Sequence, residues 1–447
     1  MAMDDRLKGG ISRRTFLMGA LAAASAPAFF NSARAQDGGG PNDRMLLGCV
    51  GLGRQGMYDI KEAIYQGMDA NVHLVAICDI DTVRVDRAKK QIEKIYADNA
   101  EKVNGYAGLT TYTDLDEMLK HKGLDAVIVA VPDHWHGLAA LAALRAGKDV
   151  YLEKPMTLMH NEGVAVVKAV RQLDRILQVG TQQRSSQYFR KACEIARNGR
   201  IGNLEHILVT LPVDGGAGDE TVIPVPEGFD FDKWCGPAPL LTYTKDRAHS
   251  QTDISRPGWI QNEAFGRGMI TNWGAHMNDI AQWGNGTDDS GLVEIETRGS
   301  FPRRGTFNVH TTFEGHGKFS NGVKITQRTG AGDVRFEGDE GWVQVSREGI
   351  KASDNQLIRE KLPESAIHLY ASKNHMRNFF DCVRSRKEPA SPVEVGHRSN
   401  TVCIVSHISM KLGRRLEWDP VAEKFKNDDE ANSMLSYEYR GPWKLDA

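Results

Sequence analysis

The segment RGMITNWGAHMNDIAQWG, residues 267–284, carries residue types suited to proton transfer beside a sugar. Wound as a helix, it sets Asn272, His276 and Asp279 at i, i+4 and i+7, on one face. An imidazole that titrates near pH ~6.5 can take or give a proton at neutral pH. Trp273 and Trp283 flank the three and offer aromatic faces to the C–H side of a sugar ring. A second cluster, Glu153-Lys154-Pro155, follows the apolar run KDVYL. The proline stiffens a turn at a strand's C-terminal end, where α/β sheets bind their ligands, and so aims Lys154 at that edge. A third cluster, Asp133-His134-Trp135-His136, follows the apolar run DAVIVAVP. No third ligand is spaced to make His134 and His136 a metal site, so helix capping and cofactor contact suit them better, and no metal is expected.

These clusters need a frame, and the first half of the chain supplies one. Met45 to Val50 reads as a buried parallel strand, followed by Gly51-Leu52-Gly53-Arg54-Gln55-Gly56 and an immediate helical pattern. Glycines at this spacing allow a tight turn, close approach to a pyrophosphate, and close helix–strand contact. The helix N-terminus adds free N–H groups and a positive dipole end. The next strand, VHLVAICDID, brings Asp79 to its end. A carboxylate there suits ribose hydroxyls and repels a 2′-phosphate, so NAD is favoured over NADP, with Arg84 and Arg87 as the residues that argue the other way. Helices over 82–99 and 134–147 alternate with further strands, the last near Ile176, which implies a right-handed parallel sheet.

Beyond Ile176 the period changes. A helix over 186–198 is followed by two-residue alternation at 204–213, 292–297, 307–313, 322–327, 334–337 and 342–345. That pattern predicts a mostly antiparallel sheet with one exposed or partner-covered face, and helices over 373–384 and 396–412 close the chain. The expected organisation is a dinucleotide-binding α/β domain over 44–180 and a second α/β domain with a large open sheet over 181–447.

The chain has 447 residues, 56 Lys and Arg against 58 Asp and Glu, and six scattered cysteines with no C-x-x-C pair. Nothing in that balance points to nucleic acid, and few or no disulfides are expected. At the N-terminus, SRRTFLMGALAAASAPAFF joins Arg13 and Arg14 to an apolar run, with an A-x-A site at Ala33–Ala35. Interrupted by Pro27, the run falls short of the ~20 apolar residues that span a bilayer. It reads as a twin-arginine export signal over 1–35, followed by the linker QDGGGPND at 36–43. The expectation is therefore a periplasmic protein exported folded by the twin-arginine machinery.

Taken together, Gly51-x-Gly53-x-x-Gly56, Glu153-Lys154-Pro155 and Gly268-Met-Ile-Thr-Asn272-x-x-x-His276-x-x-Asp279 resemble the Gfo/Idh/MocA oxidoreductases over nearly all of the chain after residue 35. The resemblance implies a Rossmann domain plus an open-sheet domain that often builds homodimers or homotetramers. It places Lys154 as the residue that orients the substrate and His276 as the base, with Asn272 and Asp279 beside them on the substrate. Cofactor contacts fall on Gly51 through Gly56, Asp79, Pro132, His136, Glu153 and Lys154. Two positions depart from the family: Asn272 stands where an Asp is common, and Asp133 where an Asn is common. The substrate class implied is a sugar, glycoside or cyclitol. An exported enzyme has no free nicotinamide pool to draw on, so the NAD is expected to be held tightly and recycled within one cycle. Two alternatives stand beside this: glycoside cleavage through transient sugar oxidation, and a non-catalytic sugar- or cofactor-binding protein.

Overall fold

In the computed structural model, residues 44–445 are described apart from 104, 107, 254, 256 and 257; the expected export signal and linker lie outside them. Six parallel strands run in the order β3-β2-β1-β4-β5-β6: β1 Met45–Val50, β2 Val72–Cys78, β3 Thr110–Tyr112, β4 Ala126–Val129, β5 Asp149–Leu152 and β6 Leu177–Val179. β2, β4, β5 and β6 are buried along their whole lengths, as expected of strands covered by helices on both faces. Strand order reverses between β1 and β4, so the loops after these two strands open a crevice at their C-terminal ends.

The second sheet has nine strands in the order β13-β12-β11-β7-β10-β9-β8-β14-β15. These are β7 Leu204–Leu211, β8 Leu292–Ser300, β9 Thr312–Phe319, β10 Lys324–Thr329, β11 Asp333–Gly338, β12 Trp342–Ser346, β13 Gly349–Ala352, β14 Leu416–Asp419 and β15 Lys424–Phe425. Only the β7–β10 pair is parallel. β11 and β12 bury every second residue, so one face carries the core and the other is polar. Helices Gln187–Arg197, Gly274–Asn285 and Val393–Leu412 contribute Phe189, Ile280 and Val405 to that core, against Phe336 and Ile295 of the sheet.

Two expectations about strands fail. Residues 307–311 form no strand, because the N–H of Phe307 goes to Ala217 O and those of Asn308 and Val309 go to Gln261 O, none of them in a strand. The strand lies further on, through the glycines of EGHGKF. A Cβ at Gly315 would meet Thr297 Oγ1 at 2.6 Å, so the small residue lets β9 lie against β8. The chain also does not close on its last long helix, since β14 and β15 extend the sheet beyond β8.

Domain organisation is less linear than the sequence suggests. Helix His375–Ser385, far along the chain, inserts Met376, Phe379 and Phe380 into the core of the first sheet, with Leu47, Ile64 and Tyr151. All six cysteines are buried and unpaired, and no described helix is long and apolar enough to cross a membrane.

Candidate active site

The turn after β1 is built around its glycines. Gly51 has φ +90°, and a Cβ there would lie 2.4 Å from Ala130 O; a Cβ at Gly56 would lie 1.9 Å from Gly51 O. Both closeness and backbone conformation therefore demand glycine, and the result is an open cradle at the N-terminus of helix Arg54–Met68, which Gly53 precedes. The cradle opens into a cavity of about 990 Å³ that also takes in the ends of β4 and β5 and the helical segment at 269–276. Its size suits a cofactor together with a small substrate.

Asp79 lines this cavity, and its carboxylate accepts hydrogen bonds from Leu52 N at 2.7 Å and Asp81 N at 3.0 Å. It therefore ties the glycine turn to β2 and still presents a negative group where a ribose would lie. Arg84 and Arg87 are engaged with the carbonyls of Ser250 and Gln251, which draws both guanidiniums toward that loop. Leu52 itself is fully buried and contributes its backbone, not its side chain. Arg54 and Gln55 line the cavity, and Gln55 Nε2 reaches Asp59 and Glu153.

Glu153 is buried and already taken: its Oε1 accepts from Gln182 at 2.7 Å and its Oε2 from Lys154 N at 3.1 Å. Burial raises both carboxyls, with the charge of Glu153 adding to the rise at Asp59 and Lys154 pulling Glu153 back down. Pro132 precedes helix Asp133–Arg145 and lines the cavity. His136 lines it too, but its ring nitrogens face the carbonyls of Pro155 at 2.6 Å and Val131 at 2.9 Å. Burial lowers this imidazole to about 4 while the two carbonyls pull it upward, and the ring bridges the loops after β4 and β5.

Lys154, Asn272 and His276 meet in the same cavity, although they come from opposite domains. The nearness is electrostatic as well: burial pushes the His276 imidazole well below its ordinary value, and the charges of Lys154 and Arg347 push it further. The residue is only 3% exposed. Its tautomer is set from behind. A guanidinium can only donate, so the Gln183 amide turns its oxygen to Arg347, accepting at 3.1 and 3.0 Å, and its nitrogen donates to His276 Nδ1 at 2.6 Å. With Nδ1 as acceptor, the neutral ring carries its proton on Nε2. His276 thus enters the site as a hydrogen-bond donor, whereas the resemblance implied a base. Arg347 also stacks over Trp273, 4.6 Å from the ring centroid.

Asp279 does not reach the substrate face. It is 0% exposed, accepts from Arg184 at 2.7 Å and from Ser399 at 2.8 Å, and lies outside the cavity wall. The segment is not one continuous helix: Met269–Asn272 and Gly274–Asn285 join at Trp273, and the longer helix is buried on every side, so its carboxylate pairs inside the core. Trp283 likewise lies under Arg184, away from the cavity, while Trp135, Trp259 and Trp273 supply the aromatic wall.

Asp133 carries an unsatisfied carboxylate oxygen in the wall. Its Oδ2 is buried without a partner, and burial raises its carboxyl to about 8 even though Lys154 and Arg267 pull the other way. In the sequence, Asp133 stands out as part of the strand-end cluster 133–136 and as a departure from the family, whereas Gln183 and Arg347 do not stand out. Arg347 lies in the β12–β13 turn and Gln183 just after β6; nothing in their local spacing marks them.

Comparison with known proteins agrees with this architecture. Residues 45–181 match the oxidoreductase family's NAD-binding Rossmann fold, and residues 215–445 match the same family's C-terminal alpha/beta domain. The chain is 30% identical over 164 residues to myo-inositol 2-dehydrogenase of Thermotoga maritima, covering 37% of this chain and 44% of that protein. It is 27% identical over 165 residues to a glycosyl hydrolase family 109 protein of Shewanella baltica, covering 37% and 34%. The matched stretch thus spans less than half of either relative. Among solved structures, the WlbA dehydrogenase of Bordetella pertussis, in complex with NADH and UDP-GlcNAcA, shares the fold at TM-score 0.61 and 18% identity over 84% of this chain and 99% of that one. The glycine cradle, the carboxylate at the end of β2 and the two matched domains together place this chain in the Gfo/Idh/MocA oxidoreductase family, with an NAD-binding Rossmann domain.

Proposed function

We propose that this protein is an NAD-dependent oxidoreductase acting on a hydroxyl of a sugar, glycoside or cyclitol, with a tightly held NAD that is reduced and reoxidised within one cycle. The observation that carries the reading is the meeting of Lys154 with His276 in the cavity that begins at the glycine cradle. Gly51 through Gly56 would hold the pyrophosphate and Asp79 the ribose, and the nicotinamide, when bound, supplies the redox chemistry. The chain's own residues handle the oxygen and its proton. Lys154 and the His276 Nε2–H both donate to the reacting oxygen, stabilising the negative charge that grows there, as a neutral imidazole donor does elsewhere.

The hydroxyl proton leaves through Lys154 to Asp133. As Lys154 takes the substrate proton, it passes one of its own to the unpartnered Asp133 Oδ2, so the lysine ends as it began and the carboxyl ends protonated. The family's usual carboxylate near the histidine is replaced by Asn272, which leaves His276 without a charge to make it a base. Asp133 puts a carboxyl beside the lysine instead. The twin-arginine segment supports export of the folded protein with its NAD in place, and the polar outer face of the nine-stranded sheet supports a homodimer or homotetramer.

A second reading is transient oxidation that acidifies the neighbouring C–H and lets a glycosidic substituent leave before re-reduction. The similarity to a glycosyl hydrolase family 109 protein favours it. Single-turnover cofactor reduction with a panel of hexoses, glycosides and cyclitols tests the proposal. Lys154→Met should slow reduction by at least about 10²-fold with NAD still bound. Unchanged reduction in that variant, or no reduction with any member of the panel, would overturn it. Release of an aglycone without net NADH would select the second reading.

A further inference from the structure

A second cluster of chemistry-bearing side chains lies away from the cavity. His160 opens helix His160–Gln172, His397 sits in the second turn of helix Val393–Leu412, and Glu423 lies in the turn between β14 and β15. Both histidines are 4% exposed. His397 Nε2 lies 3.2 and 3.3 Å from the two oxygens of Glu423, and His160 Nε2 lies 3.8 Å from Glu423 Oε2. One donor atom from each residue falls within 4.8 Å of the other two.

Hydrogen bonding among the three does not account for this arrangement. At 3.8 Å, His160 Nε2 is too far from the carboxylate to bond it, and it is buried with no partner at all. Leaving a buried ring nitrogen unpaired costs about 1–3 kcal/mol. The rings are also held in place. Trp418 packs edge-on to His160 at 5.3 Å, and a Cβ at Gly163 would come within 2.4 Å of His397 Nδ1, so only glycine leaves that imidazole its position. Arg398 Nη1 pairs with Glu423 Oε1 at 2.6 Å, which steadies the carboxylate and leaves Oε2 turned to His160.

We infer that His160, His397 and Glu423 bind one divalent transition-metal ion of the zinc class. Two imidazole nitrogens and one carboxylate oxygen suit Zn²⁺, whereas Ca²⁺ and Mg²⁺ prefer oxygen throughout. Four-coordinate zinc holds its ligands about 3.3 Å apart, with bonds of ~2.0–2.2 Å. The two edges that meet at Glu423, 3.2–3.3 and 3.8 Å, need little closure to reach this. Glu423 is the solvent-facing member, its side chain 20% exposed, so water completes the shell on that side. The ion ties a helix of the nucleotide domain, six residues after Lys154, to the last long helix and to the final hairpin of the large sheet. Its role is that of a structural clasp, independent of the proposed reaction.

The test uses the purified full-length protein, stripped with a chelator and dialysed against Zn²⁺, with bound metal read by elemental mass spectrometry. One zinc per chain should be retained, and thermal unfolding should shift upward on reloading. The visible spectrum of the Co²⁺-loaded protein should show tetrahedral ligand-field bands. His160→Gln and His397→Gln should each weaken zinc binding at least about 100-fold while the protein still binds NAD. Glu423→Gln, on the exposed side, keeps the test valid if the buried variants misfold, and it should also lose the ion. Absence of stoichiometric zinc in the wild-type protein, or undiminished binding in Glu423→Gln and the histidine variants, would overturn the assignment.

Discussion

Asp133 and Gln183 are the residues whose replacement says most about proton handling. A carboxyl raised to about 8 is mostly protonated at neutral pH, and only its ionised form can accept a proton. The rate with limiting substrate should therefore rise with pH through about 8 and level off above it. Asp133→Asn should remove that limb and lower turnover by about 10²-fold or more, as read from pH profiles of kcat/KM. An unaltered profile would take Asp133 out of the proton path. At Gln183 the issue is geometry. Gln183→Glu offers Arg347 one carboxylate oxygen and His276 the other, so the imidazole proton should move from Nε2 to Nδ1. Nitrogen-15 shifts of the His276 ring report this directly. Turnover should fall at least about tenfold, because the Nε2–H donor to the substrate oxygen is gone. A ring that keeps its wild-type tautomer in the variant contradicts the control attributed to Arg347 and Gln183.

On the scale of elements, the nucleotide domain depends on a helix from the far end of the chain. Phe379 is fully buried against Tyr151 at the centre of the parallel sheet, with ring centroids 5.8 Å apart. Truncation to alanine loses both transfer energy and packing, and should cost about 3–5 kcal/mol. Because this core is shared, Phe379→Ala should weaken NAD binding and overall stability together, measured by cofactor titration and by urea unfolding of the whole chain. Loss confined to the second domain would mean that the helix is only loosely attached. The same sharing explains why a boundary drawn near residue 180 describes the chain's order better than its cores.

Considered as a whole, the molecule has one cavity lined from both matched domains, and the proposed reading has it exported already folded. The proposed recycling requires the nucleotide to be held before export and kept afterwards. NAD(H) should therefore co-purify near one per chain, detected by mass spectrometry of the denatured protein. Protein recovered without nucleotide and binding NAD only weakly would remove the case for a redox-neutral cycle, though not for the Rossmann domain itself. Each of the six cysteines is buried and none is paired.

Sequence alone determined the features whose cause is local. The glycine turn, the carboxylate at the end of β2, the alternation of buried strands with helices, and the later two-residue period all express backbone sterics and burial within a few neighbouring residues. So did the clusters at 133–136 and 153–155, because α/β sheets put functional residues at strand ends. Only the tertiary structure decided what those side chains do. Asp279 shares a helical segment with His276, yet Arg184 and Ser399 hold it in the core. His276 became a donor because Arg347, from a distant hairpin, orients Gln183. His160, His397 and Glu423 meet only when a helix of the first domain closes on the final hairpin. Each outcome depends on contacts between residues far apart in the chain, and no periodicity along the chain records which side chains those contacts will pair.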